Sequence, residues 1–212
     1  IGGLILDGGN FDWGKAGADR QPALNTPDPC YGGVVWDEQV TKNMGLPFAY
    51  LLKLRTTLLR DLGGAMSPFN AWMFIQGLET LPLRMREHAN NAQQVAEFLA
   101  SNKKVQSVTY PGLFEGAEKE KADKYMTGGY GALIGFELPG GKEAGSKFID
   151  SLELLYHVAN IGDSRSLAIH PATTTHSQLA PEEQLSAGVT PGYVRLSIGI
   201  ENAEDIIADI SQ

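Results

Sequence analysis

The clearest hydrophobic pattern of the chain lies near its end, in residues 192–210. Apolar and polar residues alternate there, with Val194, Leu196 and Ile198 set against Tyr193, Arg195 and Ser197. This period of two predicts a strand with one buried face and places Arg195 on the polar face. Asn202 then suits a helix N-cap, and the apolar residues that follow recur at helical spacing, at Ala203, Ile206, Ile207 and Ile210.

The region before this strand changes repeatedly between strand and helix patterns. Strands are predicted over 105–110, 131–138 and 157–161, and helices over 115–125 and 142–156. Residues 162–192 are rich in Thr, Ser, Pro and His, and they predict a loop with one helical turn at 181–186. The second half is therefore predicted to be an α/β layer, with helices packed on a small sheet.

The first half is less regular. A buried strand is predicted at 4–6, between pairs of glycines, and an irregular loop at 11–37, which is rich in Pro and Gly. Three helices follow, at 48–62, 67–77 and 81–101; Gly63 and Gly64 end the first, and Ser67-Pro68 begins the second. We place a domain boundary near Thr80, which separates residues 1–80 from residues 81–212.

Composition narrows the functional classes. The chain has 212 residues, of which 42% are hydrophobic and 20% charged, as expected for a globular protein with a core. A net charge of -8 disfavours nucleic-acid binding, and no apolar run is long enough to span a membrane. The single cysteine, Cys30, cannot form an intrachain disulfide, which favours a reducing, cytoplasmic location.

Metal and nucleophile motifs are weak. His170 and His176 do not have the spacing of a zinc motif, so we expect no metal site. Cys30 lies in a Pro-rich loop with no adjacent base and is expected to be inert. The Gly-rich segment 127–131 lacks the phosphate-binding Walker pattern.

Arg195 is the strongest candidate for function, because its guanidinium can hold a carboxylate or phosphate by two parallel hydrogen bonds. Asn160, at the end of a predicted strand, and the polar loop 170–177 could surround the same anion. Two alternatives stay open. Arg195 could simply keep the sheet hydrated, and the loop's Thr and Ser residues could only form turns.

Three blocks of the chain together resemble the Cys/Met-metabolism family of pyridoxal-phosphate enzymes: SPFNAWMFIQGLETLPLRMREHANNAQQVAEFL (67–99), NIGDSRSLAIHPATTTHSQL (160–179) and GYVRLSIGIENAEDIIADI (192–210). The resemblance implies the C-terminal portion of the type I, aspartate-aminotransferase-like α/β fold, with a small mixed or antiparallel sheet and helices packed on it. Residues 1–80 would be the end of the large cofactor domain with its bridging helices. Residues 81–212 would be the small C-terminal domain.

The resemblance also implies roles for three residues. Arg195 matches the arginine that binds the substrate α-carboxylate, and Asn160 and Thr175 match residues that line it. Many relatives have Ser at the position of Asn160. The family's Schiff-base lysine stands in a Ser-x-Thr-Lys motif, and we expect it upstream of Ile1, since no lysine of this chain lies in such a motif. We therefore predict no catalytic or cofactor-binding residue here, and an inactive chain unless its N-terminal half joins it.

The opening IGGLILDGGNFDW and the long Pro-rich loop resemble one branch of the family. The activity implied is the pyridoxal-phosphate-dependent conversion of O-acetylhomoserine and sulfide or methanethiol to homocysteine or methionine and acetate, in a homotetramer. Two alternatives remain. One is a cystathionine synthase or a methionine or cystathionine γ-lyase of the same family; the other is a non-catalytic, stand-alone interaction domain.

Overall fold

The computed structural model describes residues 2–212, and it forms two compact units, one ending at Gly77 and the other beginning at Leu78. The boundary predicted near Thr80 lies close to this division in the sequence. The assignment of residues 1–80 to the end of a cofactor domain stays a prediction.

The first unit is built from short helices. They are α1 (Gly17–Arg20), α2 (Pro22–Asn25), a 3-10 turn (Pro29–Tyr31), a π-helix (Asp37–Asn43), α3 (Ala49–Lys53), a π-helical continuation (Leu54–Leu59) and α4 (Arg60–Leu62). Gly63 ends this series in the left-handed conformation, with φ at 70°. A small core collects Leu24, Trp36, Val40 and Ala49.

Two predictions for this unit are wrong. Residues 4–6 form no strand, because no strand of the described chain pairs with them, and Leu4 and Leu6 are more than 80% exposed. The expected irregular loop at 11–37 contains α1, α2 and the 3-10 turn. The helical pattern predicted from residue 48 is confirmed.

Two long helices follow, α5 (Pro68–Glu79) and α6 (Leu81–Ser101). Ser67 caps α5 as predicted, since its Oγ accepts from the backbone N of Asn70 at 3.1 Å. The second unit then continues with β1 (Ser107–Thr109), α7 (Gly116–Tyr125), β2 (Leu133–Glu137), α8 (Gly141–Ser151), β3 (Tyr156–His157), β4 (Leu167–Ile169), α9 (Pro181–Ser186), β5 (Tyr193–Ser197) and α10 (Ala203–Ile210). Short 3-10 turns lie at Pro111–Leu113 and Pro171–Thr173.

The five strands form one sheet in the order β1-β2-β5-β4-β3. All neighbours are antiparallel except β3 and β4, which are parallel. The predicted fold class, a small mixed sheet with helices packed on it, is confirmed. β5 occupies the centre of the sheet, so its backbone is hydrogen-bonded on both sides.

The sequence missed β4, which falls inside the predicted loop 162–192. All three of its residues are buried, so the strand shows no alternation, and it is too short to be recognised by its apolar run. The neighbouring limits also differ from prediction, since α8 ends at Ser151 rather than near residue 156 and β3 covers only Tyr156–His157.

The core of the second unit lies between the sheet and α6. The predicted inward residues of β5, Val194, Leu196 and Ile198, are fully buried. They pack in one cluster with apolar residues of β2, α6 and α10, including Ile134, Phe136, Val95, Leu99 and Ile206. This packing leaves the other face of β5, with Arg195, free of the main core.

Candidate functional site

Arg195 lies at the middle of β5, paired with Gly135 of β2 and Ile169 of β4. Its Nη2 donates to the carbonyl oxygen of Ala159 at 2.9 Å and lies 3.5 Å from that of Asn160. Its Nε is buried and has no hydrogen-bond partner among the described residues. The guanidinium is thus anchored at one nitrogen and keeps a donor for which the described chain supplies no acceptor.

The segment that holds Arg195 follows β3 and is tied to β5 at a second point. The backbone N of Gly162 donates to Ser197 Oγ at 3.2 Å. Ser197 is buried and stands two residues beyond Arg195, so both side chains meet residues 159–162 from the same face of the strand. Of the predicted residues, Asn160 is therefore beside Arg195 through its main chain, and the residue is exposed.

The polar loop 170–177 begins directly after Ile169, the β4 partner of Arg195. His170 is buried, with Nε2 2.8 Å from the carbonyl of Pro191 and Nδ1 2.8 Å from Thr173 Oγ1. Since a carbonyl only accepts, Nε2 donates to Pro191, and Thr173 Oγ1 is the partner of Nδ1. Both ring nitrogens are engaged within the fold, which gives His170 a structural role.

Most hydroxyls of the loop form turns. Thr174 Oγ1 donates to the carbonyl of His170 at 2.9 Å, and Ser177 Oγ donates to that of Thr174 at 2.9 Å. Thr175 differs, because it is exposed and its Oγ1 bonds only the adjacent His176 Nδ1, at 2.9 Å. No hydrogen bond joins Thr175 to Arg195 within residues 2–212, so its predicted role at the carboxylate stays a prediction.

Two residues on the Arg195 face were not singled out from the sequence. Ser197 stands in the same polar alternation as Arg195, a signal that was available. Tyr193 is half-buried, and its ring covers Gly135, where a Cβ would overlap it. Burial raises the pKa of the Tyr193 hydroxyl, although the Arg195 charge acts in the opposite direction.

The far end of β5 is fixed by α6. His88 Nδ1 lies 2.6 Å from the carbonyl of Ile198 and therefore donates to it. Asn91 Nδ2 donates to the carbonyls of Gly199 and Glu201, at 3.1 and 2.7 Å. Polar contacts to buried groups make the position of the strand, and so of Arg195, well defined.

Among the described residues there is no cluster of three or more His, Cys, Asp or Glu side chains that could bind a metal. Nor is any described helix both long and apolar enough to cross a membrane. Cys30 is exposed and unpaired by any disulfide.

The fold and site define an α/β protein with an arginine, on the central strand of a mixed sheet, suited to an anion. The family model for Cys/Met metabolism PLP-dependent enzymes matches residues 1–212, and the chain belongs to that family. The family and the pyridoxal-phosphate dependence expected from the sequence are thereby confirmed.

Relatives narrow the similarity further. The chain is 52% identical to an O-acetyl-L-homoserine sulfhydrylase of Leptospira meyeri and 46% identical to O-acetyl-L-homoserine sulfhydrylase 1 of Thermus thermophilus; each match covers 100% of this chain and 48% of the relative. The chain thus spans about half the length of these relatives.

A solved structure is similar to this chain in both fold and sequence. The crystal structure of a putative O-acetylhomoserine (thiol)-lyase of Campylobacter jejuni, which carries N'-pyridoxyl-lysine-5'-monophosphate, matches with a TM-score of 0.77 and 43% identity. The match covers 92% of this chain and 45% of that protein. The similarity supports the type I fold predicted from the sequence.

Proposed function

We propose that this chain is the C-terminal part of an O-acetylhomoserine sulfhydrylase and that Arg195 binds the α-carboxylate of the amino-acid substrate. The observation that carries the proposal is the guanidinium held by the Ala159 carbonyl while its Nε lacks an acceptor. A substrate carboxylate supplies the opposite charge and an acceptor for the guanidinium nitrogens that the Ala159 carbonyl does not bind. The sulfhydrylase relatives, which are 52% and 46% identical to this chain over the aligned residues, support the substrate class.

Pyridoxal phosphate, when bound, supplies an electron sink that labilises bonds at the substrate α-carbon. The role of this chain is to orient the substrate. Arg195 holds the carboxylate, and the fixed β5 backbone sets the direction in which the rest of the amino acid extends. In the net reaction, acetate leaves the γ-carbon and sulfide or methanethiol takes its place, which makes the protein a γ-replacing transferase.

Asn160 and Thr175 are proposed as additional ligands of the carboxylate. Both residues are exposed, and their segments flank the strands beside Arg195. Each side chain can donate a hydrogen bond to an oxyanion.

We also propose that the chain by itself is inactive and works with an upstream half of the same protein. None of its lysines stands in the Ser-x-Thr-Lys motif that the family uses for the cofactor. Large apolar side chains at 4–6 and along α5 are exposed, which supports burial against further protein. A cytoplasmic homotetramer remains part of the proposal.

The test is Arg195→Ala in the protein expressed from its complete reading frame. A charge-assisted hydrogen bond contributes about 1.5–3 kcal/mol, so kcat/KM for O-acetylhomoserine should fall about ten- to a hundredfold or more. Arg195→Lys keeps the charge but loses the planar fork, and should recover only part of the loss. The visible absorbance of the bound cofactor should be unchanged in both variants.

Arg86→Ala is the matched control, because it removes an exposed arginine from the same unit. If Arg195→Ala keeps the wild-type kcat and KM, the carboxylate role is wrong. Product analysis separates the reaction classes: homocysteine from O-acetylhomoserine and sulfide supports the sulfhydrylase, whereas release of an oxo-acid identifies a γ-lyase. An absence of both activities and of cofactor would favour the stand-alone interaction domain.

A further inference from the structure

A second polar site lies in the first unit, independent of Arg195. Asp37 begins the π-helix and is only 1% exposed, yet neither of its carboxylate oxygens accepts a hydrogen bond within residues 2–212. Thr41, four residues on, also has a buried hydroxyl without a partner. Buried polar groups in native proteins are almost always hydrogen-bonded, so two unpartnered ones together point to a ligand-binding site.

Both side chains line one cavity of about 320 Å³. Phe11 and Trp13 line it too, and their rings meet edge to face with centroids 4.7 Å apart. A carboxylate and a hydroxyl beside aromatic rings are the groups that bind an organic cation, through charge, hydrogen bonds and the negative ring face.

Lys42 also lines this cavity, but it satisfies the carboxylate only in part. Its Nζ is 3.3 Å from Asp37 Oδ2, an ion-pair distance without a hydrogen bond, and the lysine side chain is 63% exposed. On the other side, a Cβ at Gly14 would overlap Oδ2, so the backbone closes directly over this oxygen. The second oxygen, Oδ1, accepts no hydrogen bond from the described residues.

We propose that the cavity at Asp37 and Thr41 binds a guanidinium or ammonium group. Such a group donates to the carboxylate and to the hydroxyl and carries the charge that the aromatic rings favour. The π-helical backbone supports this, because π-helical turns are rare and often lie at functional sites. The cation comes either from a basic side chain of protein outside residues 2–212 or from a free small molecule.

The experiment measures the melting temperature of the protein expressed from its complete reading frame, with millimolar methylguanidinium chloride against sodium chloride at equal ionic strength. If the cavity is open, the wild type gains a saturable rise in melting temperature. Asp37→Asn abolishes the rise and Thr41→Val reduces it. Glu38→Gln, which removes a neighbouring exposed charge, retains the rise, and Lys42→Met, which removes the ion pair with Asp37, does not abolish it.

If a basic side chain already fills the cavity, methylguanidinium has no effect on any variant. In that case, Asp37→Asn by itself lowers the melting temperature by several degrees even without methylguanidinium, and Thr41→Val lowers it by a smaller amount. The proposal is overturned if the rise persists in Asp37→Asn. It is equally overturned if there is no rise and Asp37→Asn melts like Glu38→Gln, or no lower than Lys42→Met.

Discussion

At the scale of single residues, Asp28 shows how one carboxylate organises the first unit. It accepts hydrogen bonds from Lys53 Nζ, from Trp36 Nε1 at 2.7 Å and from the backbone N of Cys30 at 2.9 Å. The bond from Lys53, followed by that from Trp36, lowers the pKa of the Asp28 carboxyl from the usual 3.8 to about 2. Asp28 thereby joins α3 to the turn at Pro29–Tyr31 and to the start of the π-helix.

We predict acid sensitivity in this unit. Because the pKa of Asp28 is lower in the folded state, its stabilising effect is complete above the unfolded pKa near 3.8 and is lost as the pH falls through about 2. Asp28→Asn should reduce stability at neutral pH and remove this acid-dependent step. All three tryptophans lie in the first unit, so tryptophan fluorescence during acid titration reports it directly.

Asp61→Asn is the control for Asp28, since the Arg60–Asp61 pair is largely exposed and contributes little. Identical fluorescence titrations of the wild type and Asp28→Asn between pH 4 and pH 2 would show that Asp28 does not control this transition.

At the scale of secondary-structure elements, β5 depends on the segment that follows β3. Ser197 holds the backbone of Gly162, and Ala159 in turn holds Arg195. Ser197→Ala in the complete protein removes one net hydrogen bond, worth about 0.5–1.5 kcal/mol. We expect KM for O-acetylhomoserine to rise about two- to tenfold with kcat retained. The Ser197 hydroxyl positions the segment that holds Arg195 and does not touch the reacting atoms.

Ser166→Ala is a matched control for Ser197, because Ser166 is equally buried and its hydroxyl binds Glu201 and the backbone N of Gly199 instead. It should lower the melting temperature and leave KM unchanged. An equal increase of KM in both variants would indicate general loosening of the sheet, and the positioning role of Ser197 would be rejected.

The same elements show how far the sequence predicts the fold. β5 and α10 were predicted closely, because one face of each is buried and the apolar period is clear. β4 was not, since Leu167, Ala168 and Ile169 are all buried and carry no period. Arg195 could be chosen from its position on a polar strand face, but its contact with the main-chain carbonyl of Ala159 depends on pairing between distant strands.

At the scale of the whole molecule, the outstanding feature is exposed apolar surface. No residue of α5 is buried, and its six large apolar side chains, Phe69, Trp72, Met73, Phe74, Ile75 and Leu78, are each at least 45% exposed. A helix that is apolar on all sides is normally buried. We infer from this exposure that further protein covers α5.

This inference predicts that a charge on α5 is tolerated only where no contact forms. In the complete protein, Trp72→Asp would place a charge in a buried contact and should lower the melting temperature or dissociate the oligomer, as measured by light scattering after size-exclusion chromatography. Gln94→Asp, which adds the same charge at an exposed polar position of α6, is the matched control and should behave as the wild type. If Trp72→Asp retains the wild-type mass and stability, then α5 faces solvent in the complete protein and the inference is wrong.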